Sequence, residues 1–447
     1  MRYCARCLYP ENHPLHLTFD DQGVCSGCRV HEEKDELDWA GRFERLRAIV
    51  DEYRSPSGRF YDCIVPVNGA RDSYFIVHTV RNVLGLNPML VSYNKQYNSP
   101  VGIRNLAYLR TVFDRDILAF TVNPESAKKI TRATMRLAAS MYWHCLAGET
   151  VFPVQTAVRF KIPLIIWGAH QGVDQVGMFS HLDEVEMTRK YRKEHDLMGL
   201  EAEDLLRAAP NLGEDLGERE LRPFLYPNDR ELSAVGVRGI YLNNYLRWDT
   251  LAQHREMIRL FGYETAALPR TFDTCNDCDS LHYAGVHDLI KFRKFGYGKA
   301  LDHACREIRL KRLTREQAVE LVLRHEAVEP PDLSLFLRWA GLDREEFERC
   351  VDARRDPAIW ERGDAGWSLR DHVGRHLDDP GVEAARLGQA SGCDFPLTAP
   401  RAPEPGEQNG SGEPEHILFG RGWVDARAGR AAQPAEGDTS ARHGSAS

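Results

Sequence analysis

The sequence has no apolar run approaching the roughly 18 residues that a membrane-spanning helix requires. Its first residues, Met1-Arg2-Tyr3-Cys4, have no apolar core of the kind a secretory signal carries. It also lacks an excess of basic charge: 58 Lys and Arg stand against 66 Asp and Glu, a formal net charge of −8. That balance argues against a polyanion such as tRNA as the main partner, because neutralising phosphates takes a basic surface. No internal repeat is visible. No Gly-x-Cys-x-Gly nucleophile elbow occurs, so the chain carries no recognisable glutaminase of its own. These absences leave a globular protein expected in the cytoplasm, with no membrane partner. Its 447 residues suffice for one large or two moderate domains.

What the sequence does have is cysteine, eleven in all. In a cytoplasmic chain these serve as metal ligands or core thiols more often than as disulfides. Cys4-Ala-Arg-Cys7 and Cys25-Ser-Gly-Cys28 are two Cys-x-x-Cys turns in one short segment, a spacing that can place four thiolates tetrahedrally about a zinc ion. The segment has too few apolar residues to fold by burial alone, so the metal would supply folding free energy. Four protein ligands close the coordination sphere, which makes the zinc structural. A third pair, Cys275-Asn-Asp-Cys278, is either a turn with two thiols or part of a site completed by His282 and Cys305.

From residue 61 apolar runs alternate with helical periodicity. Strands are predicted at 61–67, 88–93, 117–122 and 162–167. Helices are predicted at 72–85, 100–113 and 125–160, the last broken near Gly148. An amphipathic helix is expected over 31–54, and a helical module over 314–325 and 332–352. Strand–helix alternation implies right-handed crossovers and a parallel sheet. Ligands of such sheets bind beyond the carboxyl ends of the strands, here the loops 68–73, 92–99 and 168–175. The first reads Asn68-Gly69-Ala70-Arg71-Asp72-Ser73. Backbone amides at a strand-to-helix turn form an anion site. Ser73 suits donation to a phosphate and Asp72 suits Mg²⁺, although the same residues also serve as plain helix caps.

That loop resembles the Ser-Gly-Gly-x-Asp-Ser motif of PP-loop ATP pyrophosphatases. The chain as a whole, over roughly residues 1–325, resembles the N-acetyl sugar amidotransferase family, with relatives in pseudaminic acid, legionaminic acid and O-antigen sugar pathways. The resemblance rests on "YCARC", "CSGC", "YDCIVPVNGARDSYF", "VSYNKQYNSPVGIRNL", "GVRGIYLNNYLRWD" and "GVHDLIKFRKFGYGKALDHACREIR". It implies a parallel α/β core of the HUP/PP-loop (adenine nucleotide alpha hydrolase-like) class, preceded by a zinc knuckle and followed by a helical C-terminal part. The expected divisions are 1–57, 58–222, 223–395 and a disordered, Pro/Gly/Glu-rich tail, 396–447.

The activity implied is ATP-dependent conversion of a sugar acetamido group to an acetamidino group, on a substrate expected to be nucleotide-linked and destined for polysaccharide biosynthesis. Ammonia would come from a partner glutaminase, and ATP, Mg²⁺ and zinc are the expected cofactors. Asn68, Gly69, Ala70, Arg71, Asp72 and Ser73 would bind the nucleotide, with Lys95 after the second strand. Lys294 and Lys299 of "KFGYGK" would form a second phosphate contact. Asp72, Ser73 and His170 are the candidate catalytic groups, His170 as a proton shuttle. Two positions depart from the family motif: Asn68 replaces Ser, and Ala70 replaces Gly. The added methyl costs about 1 kcal/mol if the backbone there is left-handed. Two other functions fit the same sequence: a PP-loop sulfurtransferase or thiolase, and a non-catalytic sugar-binding or scaffold homologue. Tyr241, Tyr245 and Trp248 read equally as core aromatics or as sugar platforms.

Overall fold

The computed structural model describes residues 1–364, 366–384, 386–388 and 395–398, with the strand backbone of 416–419 and 422–425. Two compact units result, Met1–Thr398 and Ala399–Ser447. Most of the expected disordered tail lies outside the described residues. Those described within it include an antiparallel pair, His416–Phe419 with Gly422–Asp425.

The first unit is built on five parallel strands: β1 (Cys63–Pro66), β2 (Pro88–Tyr93), β3 (Ile117–Phe120), β4 (Leu164–Trp167) and β5 (Arg238–Tyr241). Their order is β3-β2-β1-β4-β5. The period-2 alternation of β1 explains the two packed faces. Cys63 and Val65 point into a core with Tyr74, Phe75, Val77, Leu109 and Phe113. Ile64 points the other way, towards Met89, Val91, Val154, Ala157 and Ile165. Strands covered by helices on both sides need apolar residues at every position, and β2 is buried throughout. The expected parallel α/β core is therefore present, with the cysteine segment before it and helices after it.

All four predicted strands occur. β5 was not among them, because Arg238 and Gly239 weaken its strand signature. The helix over Pro100–Phe113 matches its expected limits; the Ser99 side chain caps it and proline opens it. The long 125–160 helix is two helices, Pro124–Ala138 and Trp143–Phe160. The break comes at Ala139, whose φ is +45°, and not at Gly148. Gly148 sits inside the second helix because a Cβ there would lie 2.4 Å from the Tyr93 ring. The 72–85 helix begins as Ser73–Val77 and widens into a π-helical turn, His78–Val83. The 31–54 helix is shorter, Trp39–Asp51, capped by Asp38. Tyr245 and Trp248 are core residues. Among the described residues no helix is long and apolar enough to cross a membrane.

The cysteine segment packs on the helix Lys299–Arg309, where Ala300, Leu301, Ala304 and Ile308 join Leu8, Tyr9 and Leu15 in one apolar cluster. In this sheet order the chain leaves β1 for β2 on one side and reaches β4 on the other. The carboxyl ends of β1 and β4 thus flank the crevice where parallel sheets hold ligands.

Candidate functional site

At the end of β1 the chain turns through Asn68–Asp72 into the helix starting at Ser73. A closed ring of hydrogen bonds shapes the turn. The Asn68 amide donates to Ser73 Oγ (3.0 Å), Ser73 Oγ donates to Asn68 Oδ1 (3.1 Å), and the Ala70 amide donates to the same Oδ1 (3.0 Å). Asn68, where the PP-loop motif that this turn resembles has serine, is thus the residue that organises the loop. Gly69 is needed for packing: a Cβ there would lie 2.0 Å from the Gly102 carbonyl oxygen. Ala70 is fully buried and outside the left-handed region, so its methyl carries none of the expected strain. The left-handed residue is Arg71, at φ +51°. Its amide donates to the Asn276 carbonyl at 3.0 Å, and the Ser73 amide faces the Ala70 carbonyl at 3.4 Å. Four amides of the turn are therefore already engaged within the protein.

The charge at this edge comes from side chains. Lys95, in the loop after β2, is 3% exposed, with Nζ 2.6 Å from Asp279 and 3.5 Å from Glu149. Asn68 Nδ2 faces the same Glu149 at 3.5 Å. Lys299 opens its helix with Nζ 2.5 Å from Asp277 and 3.6 Å from the Tyr283 ring centre. The Arg71 guanidinium lies over that ring too, and its Nε is 3.8 Å from Asp277. Burial works against the charge on Lys299, but Asp277 and Tyr283 outweigh it and keep the ammonium protonated. Burial likewise opposes the Asp277 carboxylate, and Lys299 with Arg71 pulls it below the usual range. Asn68, Arg71, Lys95 and Lys299 are thereby brought to one place.

Asp72 is the exception to this pairing. Its Oδ1 is buried without a hydrogen-bond partner among the described residues. Burial, reinforced by Asp174, pushes its carboxyl up to about 7, with Arg71 pulling the other way. An oxygen so placed is suited to a proton or a cation.

Two predicted residues make no hydrogen bond or ring contact with the turn among the described residues. Lys294 donates to the Ala138 carbonyl (3.0 Å) at the C-terminal end of the helix Pro124–Ala138; burial lowers its pKa to about 8. The amides of the "KFGYGK" turn meet carboxylates, Gly298 to Glu326 at 2.7 Å and Lys299 to Asp288 at 2.5 Å. His170 sits in an aromatic nest, 4.1 Å from the Tyr191 ring and 4.7 Å from Tyr241. Burial holds its pKa down to about 4, so the ring is neutral near pH 7. Among the described residues, no hydrogen bond or ring contact joins it to the 68–73 turn.

Glu149, Asp277, Asp279 and Tyr283 are the partners that sequence reasoning missed. Three of them belong to "TCNDCDSLHY", where the Cys-x-x-Cys pair drew notice ahead of the carboxylates. The cysteines there line the core: Tyr263 OH and Cys278 Sγ are 3.2 Å apart. His282 pairs with Asp332 (2.6 Å), and Cys305 Sγ accepts from the Leu8 amide, so no second thiol site forms among the described residues.

The N-terminal cysteines do converge. The sulfurs of Cys4, Cys7, Cys25 and Cys28 lie within 4.8 Å of one another, all buried. Three backbone amides, those of Arg6, Cys7 and Cys25, point at Cys4 Sγ from 3.2–3.4 Å. Arg309 approaches Cys28 at 3.4 Å and Cys25 at 3.5 Å. Four buried sulfurs surrounded by N–H donors and one guanidinium form a donor set that fits a thiolate-bound metal ion.

The fold and the crevice thus define a parallel α/β protein with a cation-rich carboxyl edge and a four-cysteine metal-type centre. Residues 267–373 match a family model described as "LPS biosynthesis protein WbpG-like, C-terminal domain". The matched segment supplies Asp277, Asp279, Tyr283 and Lys299, one wall of the crevice. No curated protein matches the chain. Among solved structures the chain is similar to NMN synthetase from Francisella tularensis, at 11% identity and a TM-score of 0.25, covering 45% of this chain and 82% of that one. A likeness of that size adds nothing to the geometry above.

Proposed function

We propose that the protein is an ATP-dependent amidotransferase of lipopolysaccharide-type sugar biosynthesis, converting the acetamido group of an N-acetylated, nucleotide-linked sugar to an acetamidino group. The observation that carries this reading is the convergence of Arg71, Lys95 and Lys299 on the Asn68–Ser73 turn at the sheet's switch point. The WbpG-like match over the opposite wall supports the sugar pathway. The amide oxygen of the substrate attacks the α-phosphorus of ATP, and pyrophosphate leaves with the P–O bond electrons. Ammonia then adds to the imidate carbon and loses a proton, and AMP departs as the C–O bond breaks. Arg71, Lys95 and Lys299 stabilise the leaving pyrophosphate. Ser73 holds Asn68 and with it the turn. Asp72 is the residue to hold Mg²⁺, which would neutralise phosphate charge. Ammonia comes from a separate glutaminase. The four cysteines hold a structural Zn²⁺. The divisions at 57, 222 and 395 are proposed as the order of the metal, nucleotide and substrate regions.

A second reading, a non-catalytic sugar-binding or scaffold protein, is favoured by one observation: Asp277 and Asp279 already neutralise Lys299 and Lys95. Assay of AMP and pyrophosphate with a panel of UDP-N-acetyl sugars and ammonium separates the two. Sugar-dependent release of both products is the expected result. Their absence, together with no ATP-induced thermal shift, selects the scaffold.

A further inference from the structure

At the opposite, amino-terminal edge of the sheet lies a cavity of about 570 Å³. It is lined by three arginines from separate segments: Arg54 after the helix Trp39–Asp51, Arg81 in the π-helical turn, and Arg115 just before β3. The wall is held rigidly. Arg54 donates to the carbonyls of Leu84 (2.7 Å) and Gly85 (3.0 Å). Arg115 donates to Asn87 Oδ1 (2.6 Å), and Asn87 Nδ2 donates to the Phe60 carbonyl (3.1 Å). Gly58 and Gly85 both take positive φ, and nothing lies within 4 Å of a Cβ built on either, so the backbone there faces open space.

Two donors are left over in this network. Arg81 Nε and Arg115 Nε are buried, with no hydrogen-bond partner among the described residues. A buried N–H without an acceptor costs on the order of 1–3 kcal/mol, more when charged. Neither arginine has a carboxylate within ion-pair distance among the described residues. The acid lining the cavity, Asp62, is taken by the amides of Ser55 (2.6 Å) and Asn87 (2.7 Å). Asp51 engages Arg54 at 2.6 Å, and Asp114 lies near Arg81. Burial and the neighbouring Arg115 charge both work against Arg81 staying protonated. Two guanidinium groups that line one cavity, with no carboxylate in ion-pair reach among the described residues, are stabilised by an anion lodged between them.

We propose that this cavity binds a phosphate-bearing anion between Arg81 and Arg115, at a site separate from the crevice at the carboxyl edge. Guanidinium forks match tetrahedral oxyanions better than any other side chain. The volume falls in the range of small-molecule pockets, roughly 300–1,000 Å³, and exceeds the needs of a bare ion. A phosphorylated small molecule, such as a sugar phosphate, fits it.

Calorimetry on the full chain with inorganic phosphate, and separately with glucose 1-phosphate, tests this against Arg81→Gln, Arg115→Gln and Arg71→Gln. Either arginine change at the cavity should weaken binding about tenfold or more, and Arg71→Gln should leave it intact. Tighter binding of the sugar phosphate identifies a phosphorylated metabolite; equal binding identifies free phosphate. Unchanged binding in both cavity variants, or loss only in Arg71→Gln, overturns the proposal and leaves the reading of the carboxyl-edge crevice standing. If the variants fold poorly, phenylglyoxal labelling of the native chain decides: phosphate should protect Arg81 and Arg115 but not the exposed Arg45, and equal labelling with and without phosphate overturns the site.

Discussion

The four-cysteine centre and the carboxyl-edge crevice sit at opposite ends of one helix, Lys299–Arg309, and are built on opposite principles. At one end four sulfurs are gathered, and among the described residues Arg309 is the charged side chain that hydrogen-bonds to them, at Cys25 and Cys28. At the other, Lys299 is matched by Asp277, Lys95 by Asp279, and Arg71 by Asp277 and the Tyr283 ring. The first arrangement is incomplete without a cation. The second is electrostatically closed, so under the proposed reading an incoming triphosphate would have to compete with carboxylates for each positive group. Substrate entry at the crevice would on this reading be an exchange of ion pairs, whereas metal entry at the cysteines would be an addition.

The largest effect should come from the incomplete end. Cys4→Ser should release bound metal and lower stability by several kcal/mol, since a structural metal's binding energy is folding energy; elemental analysis and thermal unfolding check it. Asp277→Asn breaks into the closed end. It should cost about 1–3 kcal/mol of stability yet tighten Mg-ATP binding, read by calorimetry; weaker ATP binding would show that Asp277 serves the ligand and does not oppose it. A third test uses Asp196, which burial pushes up to about 7 despite Arg192 and Arg71. A raised folded pKa favours the protonated acid, so this group's contribution to stability is present below pH 4 and lost as pH rises through 7. Asp196→Asn should therefore be about 4 kcal/mol more stable than the native protein at pH 8 and nearly equal at pH 4. The smallest change is Ala70→Gly. Introducing the glycine of the PP-loop motif that this turn resembles should destabilise by about 1 kcal/mol, because position 70 is not left-handed and its methyl is packed; a gain in stability would show the methyl to be strained.

The same contrast explains what could be read in advance. Two Cys-x-x-Cys turns announce their ligand through spacing, and the structure gathers all four sulfurs. β1 to β4 were legible because each is a near-continuous apolar run, buried in β1, β2 and β4 and at the sheet's edge in β3; β5 was not, since Arg238 and Gly239 interrupt it. The turn at 68–73 was found from its place between strand and helix. Its inner workings were hidden, because the left-handed residue is Arg71 and Gly69 answers to Gly102, a contact set by the next helix. Asp277 and Asp279 lie some 180 residues from Lys95 in the chain, and no local pattern encodes such pairing. The same holds for the two candidates that make no contact with the turn among the described residues. His170 and Lys294 have the right chemistry and loop positions, but neighbouring rings and a helix end claim them.

Helix Lys299–Arg309 works as a rigid rod of about 15 Å. Disturbing the thiols at its far tip would remove the sulfur contacts of Arg309, on the helix that also carries Lys299. A thiol-reactive or chelating agent that never enters the crevice would therefore be felt there, as a remote handle on the very ammonium that meets Asp277.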